Sequence, residues 1–270
     1  MSANFRDGKI YKYGERYSGT KTRCGNVQDY ELLRSLYLKG EELFEDPEFP
    51  CTEQNVFGEK EPGFNLEWKR PYELCDNPEF LTEGFSRFDV EQGCLGNCWM
   101  VASVSALAMH EELFKNVVPE DQSFTDGEYA GIFHFRLWKA NRWVDVVIDD
   151  RLPFHADSGW LAFMRSSTTH EFWSALLEKA YAKLHGGYAA LIGGGGAEAM
   201  QVLTGGLSES IYLNEFQDDL FGTVRQALEK YSLLTCYTPE DIKEYQGIIG
   251  NHAYTITGAE KVTSVWRSST

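Results

Sequence analysis

The sequence predicts an α+β fold in two lobes, and three observations carry that expectation. An apolar run from Met100 to Met109 directly follows Cys98 and reads as a buried helix. Alternating apolar residues at Phe133, Phe135 and Leu137, then at Val144, Val146 and Ile148, read as a hairpin. Near residue 204 the pattern shifts from long apolar helices to short strands, which puts a lobe boundary there. Residues 1–75 are then a leader or anchor region, 76–203 a first lobe, and 204–270 a second lobe.

Taken in order, the leader is rich in Gly, Glu, Pro and Tyr and is expected to wrap a core. Leu32, Leu33, Leu36 and Leu43 predict a single helix over Tyr30–Phe44. From Arg70-Pro71 the pattern tightens towards the Cys98 helix. Tyr129–Lys139 and Trp143–Asp149 form the hairpin, turning at Asn141-Arg142 with one apolar face. Glu171–His185 carries Phe172, Trp173, Leu176, Leu177, Ala180, Tyr181 and Leu184 at helical spacing, and Gly186-Gly187 stops it. That helix is expected to pack on the Cys98 helix. A glycine loop, Gly193–Gly196, follows; then come a short helix over Asp218–Tyr231 and strands at Leu233–Tyr237 and Ala253–Thr257.

Composition bounds the function. At 270 residues with 43% hydrophobic and 14% aromatic content, the chain can bury a sizeable core. A net charge of −16 argues against non-specific nucleic-acid binding and suits divalent cations or basic partners, although it equally serves solubility. The N-terminus lacks the apolar segment of a signal peptide, and Trp99–Met109 is too short to span a bilayer, so no transmembrane segment and a cytoplasmic location are expected. Six cysteines (24, 51, 75, 94, 98 and 236) contain no CxxC pair, which predicts reduced thiols rather than zinc or a disulfide framework.

The chemistry centres on Gln92-Gly93-Cys94-Leu95-Gly96-Asn97-Cys98-Trp99. A cysteine opening a helix has its thiolate stabilised by the helix dipole and unpaired N–H groups, and becomes nucleophilic. A glutamine just upstream can donate its amide to a developing oxyanion beside the cysteine's own N–H. The bland alternative is a buried structural cysteine. A thiolate also needs a proton shuttle, and His252, 154 positions downstream at the start of an alternating strand, fits best. His110, His134 and His185 read as ordinary hydrogen-bonded groups. Acyl transfer to amines, as in transglutaminases, is a weaker alternative because the histidine and its acidic partner lie closer there. Gly194-x-Gly196-x-x-Ala199 meets a dinucleotide pattern only loosely, with no preceding strand.

Gln92–Trp99, Tyr129–Phe135, Trp143–Asp150, Glu171–Lys183 and His252–Tyr254 resemble the protease core of the calpains, from about Arg70 to Val262. The resemblance implies a papain-like cysteine protease of two lobes, the first helical and the second a β-barrel, with calcium-dependent intracellular endopeptidase activity on protein substrates. It implies Cys98 as nucleophile, His252 as general base and acid, Gln92 as oxyanion donor and Gly194 as a backbone partner of substrate. It also implies a calcium ion held by the Asp89 and Glu171 side chains and the carbonyls of Thr82 and Gly84. Oxygen ligands of this kind suit calcium. A regulatory partner or inhibitor is a further expectation of the family.

The departures are informative. The asparagine that should orient the histidine has no counterpart between His252 and Thr270; Glu260 lies about 26 Å on along an extended strand. The barrel is therefore expected to be incomplete. By analogy with serine enzymes, losing such a residue costs up to ~10⁴ in turnover, so weak activity is expected. A non-catalytic calcium-binding regulator or decoy is the alternative. Asn251 replaces the glycine usual before the histidine, and Asn97 an aspartate common in the family.

Overall fold

The computed structural model describes residues 3–6, 9–12, 27–82, 84, 86–215, 219–240 and 243–262. Most of the leader before residue 27, Cys24, the first residue of the helix expected from Asp218, and residues 263–270 lie outside the described residues. Strands β1 (Ala3–Arg6) and β2 (Lys9–Lys12) pair antiparallel.

Helix α1 (Tyr30–Tyr37) starts where the Asp29 carboxylate accepts the Leu32 N–H at 3.0 Å. It stops seven residues short of Phe44, and its inward face differs from the one expected. Tyr30, Leu33 and Tyr37 pack with Phe44, Ala130, Ile132 and Val147. Leu32 and Leu36 are 58% and 56% exposed. Both sides of this helix carry leucines, so periodicity alone points to the wrong one.

Thr52 caps the short helix α2 (Glu53–Phe57), and β3 (Leu66–Lys69) follows. Helix α3 (Cys98–Leu107) buries seven side chains on all sides, as its composition requires. Helix α4 (Glu111–Val117) leads to β4 (Ile132–Lys139) and β5 (Arg142–Asp149). They turn through Ala140 and Asn141, both at left-handed φ (50° and 58°), as a two-residue hairpin turn demands. Their second face is not free: Ile132, His134 and Val147 are buried. Strands β6 (Leu152–His155) and β7 (Trp160–Leu161) complete a three-stranded sheet in the order β3-β6-β7.

Helix α5 (Trp173–His185) ends at Gly186, whose φ of 97° is the left-handed cap. It lies mainly on the β4–β5 hairpin rather than on α3. Its contacts with the start of α3 include Trp99 meeting Tyr181 edge-on at 6.1 Å and Asn97 meeting Glu178. A buried ion network ties α5 down: Lys179 Nζ reaches Asp149 Oδ1 at 2.6 Å with both side chains inaccessible, and Lys183 reaches Asp46 at 2.6 Å. Helix α6 (Gly196–Thr204) closes this region, and Gly205 caps it.

Beyond it lie α7 (Leu220–Glu229), β8 (Thr235–Tyr237), β9 (Glu244–Tyr245), β10 (Ile248–Ile249) and β11 (Ala253–Thr255). The strands form two antiparallel pairs, β8 with β11 and β9 with β10. Among the described residues no helix is long and apolar enough to cross a membrane.

Candidate active site

Cys98 is the first residue of α3 and is half-buried. The Asn97 carbonyl accepts the first helical N–H groups, from Met100 at 2.9 Å and Val101 at 3.1 Å. Among the described residues the Cys98 N–H has no partner, which is the normal state of a first-turn amide and leaves it able to bind an anion.

The backbone on either side of Gln92 is held by an unusually close fit. A Cβ at Gly93 would lie 2.4 Å from the carbonyl oxygens of both Ala162 and Phe163, so only glycine fits. The Cys94 N–H donates to Ala162 O at 2.8 Å, and Glu91 pairs with Arg165 in both directions. Gln92 Nε2 donates to Leu95 O at 2.7 Å. A primary amide carries two N–H groups, so one remains for a substrate oxygen.

The glycine loop stacks on the indole next to the cysteine. A Cβ at Gly194 would meet Trp99 Cε2 at 2.5 Å, while Trp99 Nε1 donates to Leu191 O at 3.0 Å. On the far side the Tyr237 hydroxyl accepts the Gly196 N–H. Tyr237 lies close enough to Cys98 that a thiolate there raises the tyrosine's pKa, although burial is the larger cause.

His252 stands just before β11. Its N–H donates to Thr238 Oγ1 at 3.1 Å, its carbonyl accepts the Thr238 N–H at 3.0 Å, and its ring meets Tyr254 edge-on at 5.0 Å. Asn251 adopts φ 50°, the left-handed region, which explains why glycine or asparagine suits this position. Strand β11 packs on α3, with Ala253 in the core and Thr255 Oγ1 donating to Ala102 O at 2.7 Å. The histidine's strand therefore lies against the cysteine's helix. No hydrogen bond joins Cys98 to His252, and among the described residues none reaches the His252 ring.

Asp89 and Glu171 also come together. Burial raises both carboxyls above their usual range, and the Asp89 charge pushes Glu171 up further. Glu171 accepts the Thr82 N–H at 2.8 Å and the Ser166 hydroxyl at 2.7 Å; Asp89 accepts the Ser86 N–H at 2.6 Å. The Thr82 and Gly84 carbonyls accept no hydrogen bond from described residues. Two mutually repelling carboxylates beside unpaired carbonyls fit a divalent cation. Among the described residues no cluster of three or more His, Cys, Asp or Glu side chains forms, so such an ion would depend on the carbonyls.

His110 and His185 sit at helix ends and burial lowers both, in keeping with ordinary roles. His134 is buried but not idle. Burial opposes its charge, yet the Asp145 and Asp121 carboxylates at 2.7 and 3.0 Å raise its pKa to about 9. Its ring stacks on Tyr30 at 3.7 Å. One feature next to Cys98 carried no sequence signal: the buried Asn97–Glu178 hydrogen bond at 2.7 Å.

A cysteine at a helix N-terminus, with a histidine's strand packed on the same helix, is an arrangement suited to nucleophilic thiol chemistry. The comparison with protein families narrows this. Residues 44–269 match the calpain family cysteine protease model, and the chain belongs to that family. It is 48% identical over 236 residues to Calpain-A of Drosophila melanogaster, covering 86% of this chain and 28% of that protein. It is 45% identical over 249 residues to the Calpain-2 catalytic subunit of Bos taurus, covering 88% and 35% respectively. With Calpain clp-1 of Caenorhabditis elegans it shares 48% over 240 residues, covering 87% and 30%. The chain spans about a third of the length of the curated relatives it matches.

Proposed function

We propose that this chain carries the papain-like core of a calcium-dependent cysteine endopeptidase acting on protein substrates in the cytoplasm. In this reading Cys98 Sγ attacks the scissile carbonyl and His252 first accepts the thiol proton, then gives it to the leaving amine. The Cys98 N–H and the second N–H of Gln92 stabilise the oxyanion. The Gly194 backbone, bare against Trp99, pairs with an extended substrate. Water then releases the acyl group, with His252 again as the base.

The observation that supports this most is the Cys98 N–H, without a partner among the described residues, at the start of a buried helix, with the Gln92 side chain bonded to Leu95 O and the backbone after it fixed by the Gly93 contact. All five described cysteines are free, in keeping with a reducing compartment.

A calcium ion would be held by Asp89 and Glu171 with the Thr82 and Gly84 carbonyls. Bound there, it would supply positive charge between the Asp89 and Glu171 carboxylates. Without it the two carboxylates would repel each other, which gives calcium dependence a physical basis in this reading. Among the described residues no hydrogen bond holds the His252 ring, so proton transfer is poorly oriented and turnover by this chain is slow.

The test is hydrolysis of an internally quenched peptide by the 270-residue chain in millimolar calcium and in chelator, beside Cys98→Ala. Calcium-dependent cleavage that the Cys98→Ala variant lacks is expected. Cleavage that survives the substitution would contradict the assignment.

A further inference from the structure

Glu178 is 1% exposed, in the middle of α5, and among the described residues no basic group is bonded to it. It lines a small, largely apolar cavity together with Leu152, Leu161, Phe163, Ala175 and Tyr188. A carboxyl in such a place is costly, and an apolar side chain of similar volume would pack there without that cost. Its two oxygens are nevertheless both used. Oε1 accepts from Asn97 Nδ2 at 2.7 Å, and Oε2 accepts the Met164 N–H at 2.9 Å. Burial raises the carboxyl to about 7, and the two donors only partly offset this.

The two donors belong to the two halves of the site. Asn97 immediately precedes Cys98, and its carbonyl takes the first bonds of α3, so its orientation is that of the helix start. Met164 lies in the 162–165 segment, which carries the Gln92 loop through Cys94 N to Ala162 O and through the Glu91–Arg165 pair. One carboxyl thus spans the nucleophile's helix and the oxyanion donor's support.

We propose that Glu178 is a positioning residue that sets Cys98 relative to Gln92, by binding Asn97 with one oxygen and the Met164 amide with the other. The inference rests on the reading of Cys98 as nucleophile and Gln92 as oxyanion donor. Among the described residues the buried Asn97 Oδ1 atom has no hydrogen-bond partner. The substitution Glu178→Gln keeps the bridge: the new amide's oxygen accepts from Met164 while its nitrogen donates to Asn97 Oδ1 after the asparagine turns over. The substitution Glu178→Met breaks it, because a thioether offers neither a donor nor a strong acceptor.

The experiment measures two properties of Cys98 in the 270-residue chain with millimolar calcium. Affinity for a peptidyl aldehyde reads the oxyanion geometry, because Sγ adds to the carbonyl carbon and the former carbonyl oxygen, protonated from the thiol, occupies the oxyanion position. The iodoacetamide rate reads the thiol alone. Glu178→Met is expected to weaken aldehyde binding on the order of tenfold while leaving the iodoacetamide rate within about twofold and the melting temperature undiminished. Glu178→Gln should restore binding. A merely structural role predicts no loss in a methionine variant that packs well. Wild-type affinity in Glu178→Met, or a glutamine variant as weak as the methionine one, would overturn the proposal. Should Glu178→Met fail to fold, Asn97→Ala cuts the same bridge and must weaken aldehyde binding likewise; normal affinity there, or unfolding of both variants, also overturns it. A wild-type chain that binds no aldehyde fails the underlying reading instead, and the proposal with it.

Discussion

Between Tyr30 and Thr204 buried side chains come from all six helices and from both strands of the β4–β5 hairpin, whereas beyond Thr204 only Ala253 is buried among the described residues. The first region fixes Cys98 and Gln92 through its own interior, down to a glycine pressed on two carbonyls and an ion pair with no solvent access. The second region fixes His252 through a few contacts on α3 and α6: Ala253, the Thr255 hydroxyl and the Tyr237 hydroxyl. Half of the proposed chemistry is thus part of a core, and the other half is docked onto it. Catalytic competence should then be limited by the docking, while global stability should be set by the first region.

Substitutions in each region put that contrast at risk. The largest effect is expected from Lys179→Met, which leaves Asp149, a carboxylate held well below its usual range, with less compensation in the interior. Burying a weakened charge costs about 3 kcal/mol, and denaturant unfolding should show it as a loss for the whole first region. Gly93→Ala comes next. Its new methyl must displace the 162–163 backbone, costing roughly 1–3 kcal/mol and slowing reaction of Cys98 with any inactivator that uses the cleft. Thr255→Val removes one bond between the regions, worth about 1 kcal/mol. Hydrogen exchange should speed up at residues 253–255 while α3 and α5 stay protected.

The effect with the least bearing on Cys98 concerns His134. Its folded pKa of about 9 lies above its ordinary value of 6.5, so the pairing with Asp145 and Asp121 stabilises fully below pH 6.5 and is lost as pH rises through 9. The melting temperature should fall between pH 7 and 10, and His134→Gln should flatten that slope without changing Cys98 reactivity at pH 7.

Much of the first region can be read from the sequence because its signals are local. The apolar run behind Cys98, the alternation at 133–148 and the glycine stop at 186 each act within a few residues. What cannot be read is set by partners far along the chain. Strand β3 pairs with β6 across more than eighty positions, and nothing in Leu66–Lys69 specifies that partner. Helix α1 turns its tyrosines inward because Phe44 and Val147 are there to receive them. His134 has the polar surroundings its alternation suggests, yet α1 covers it. Periodicity cannot distinguish Glu178 from a solvated helix-surface glutamate, since the asparagine it meets lies 81 positions away. Residue chemistry in the sequence singles out Cys98, Gln92 and His252 as candidates; the spatial relation of His252 to Cys98 is not written there.

The most direct test is labelling of Cys98 by a peptidyl epoxide inactivator of papain-like enzymes, followed residue by residue in the 270-residue chain with and without millimolar calcium. Cys98 is expected to label in calcium far faster than exposed Cys94, and chelation to slow it. A folded chain in which calcium leaves Cys98 no more reactive than Cys94 would contradict the proposed function.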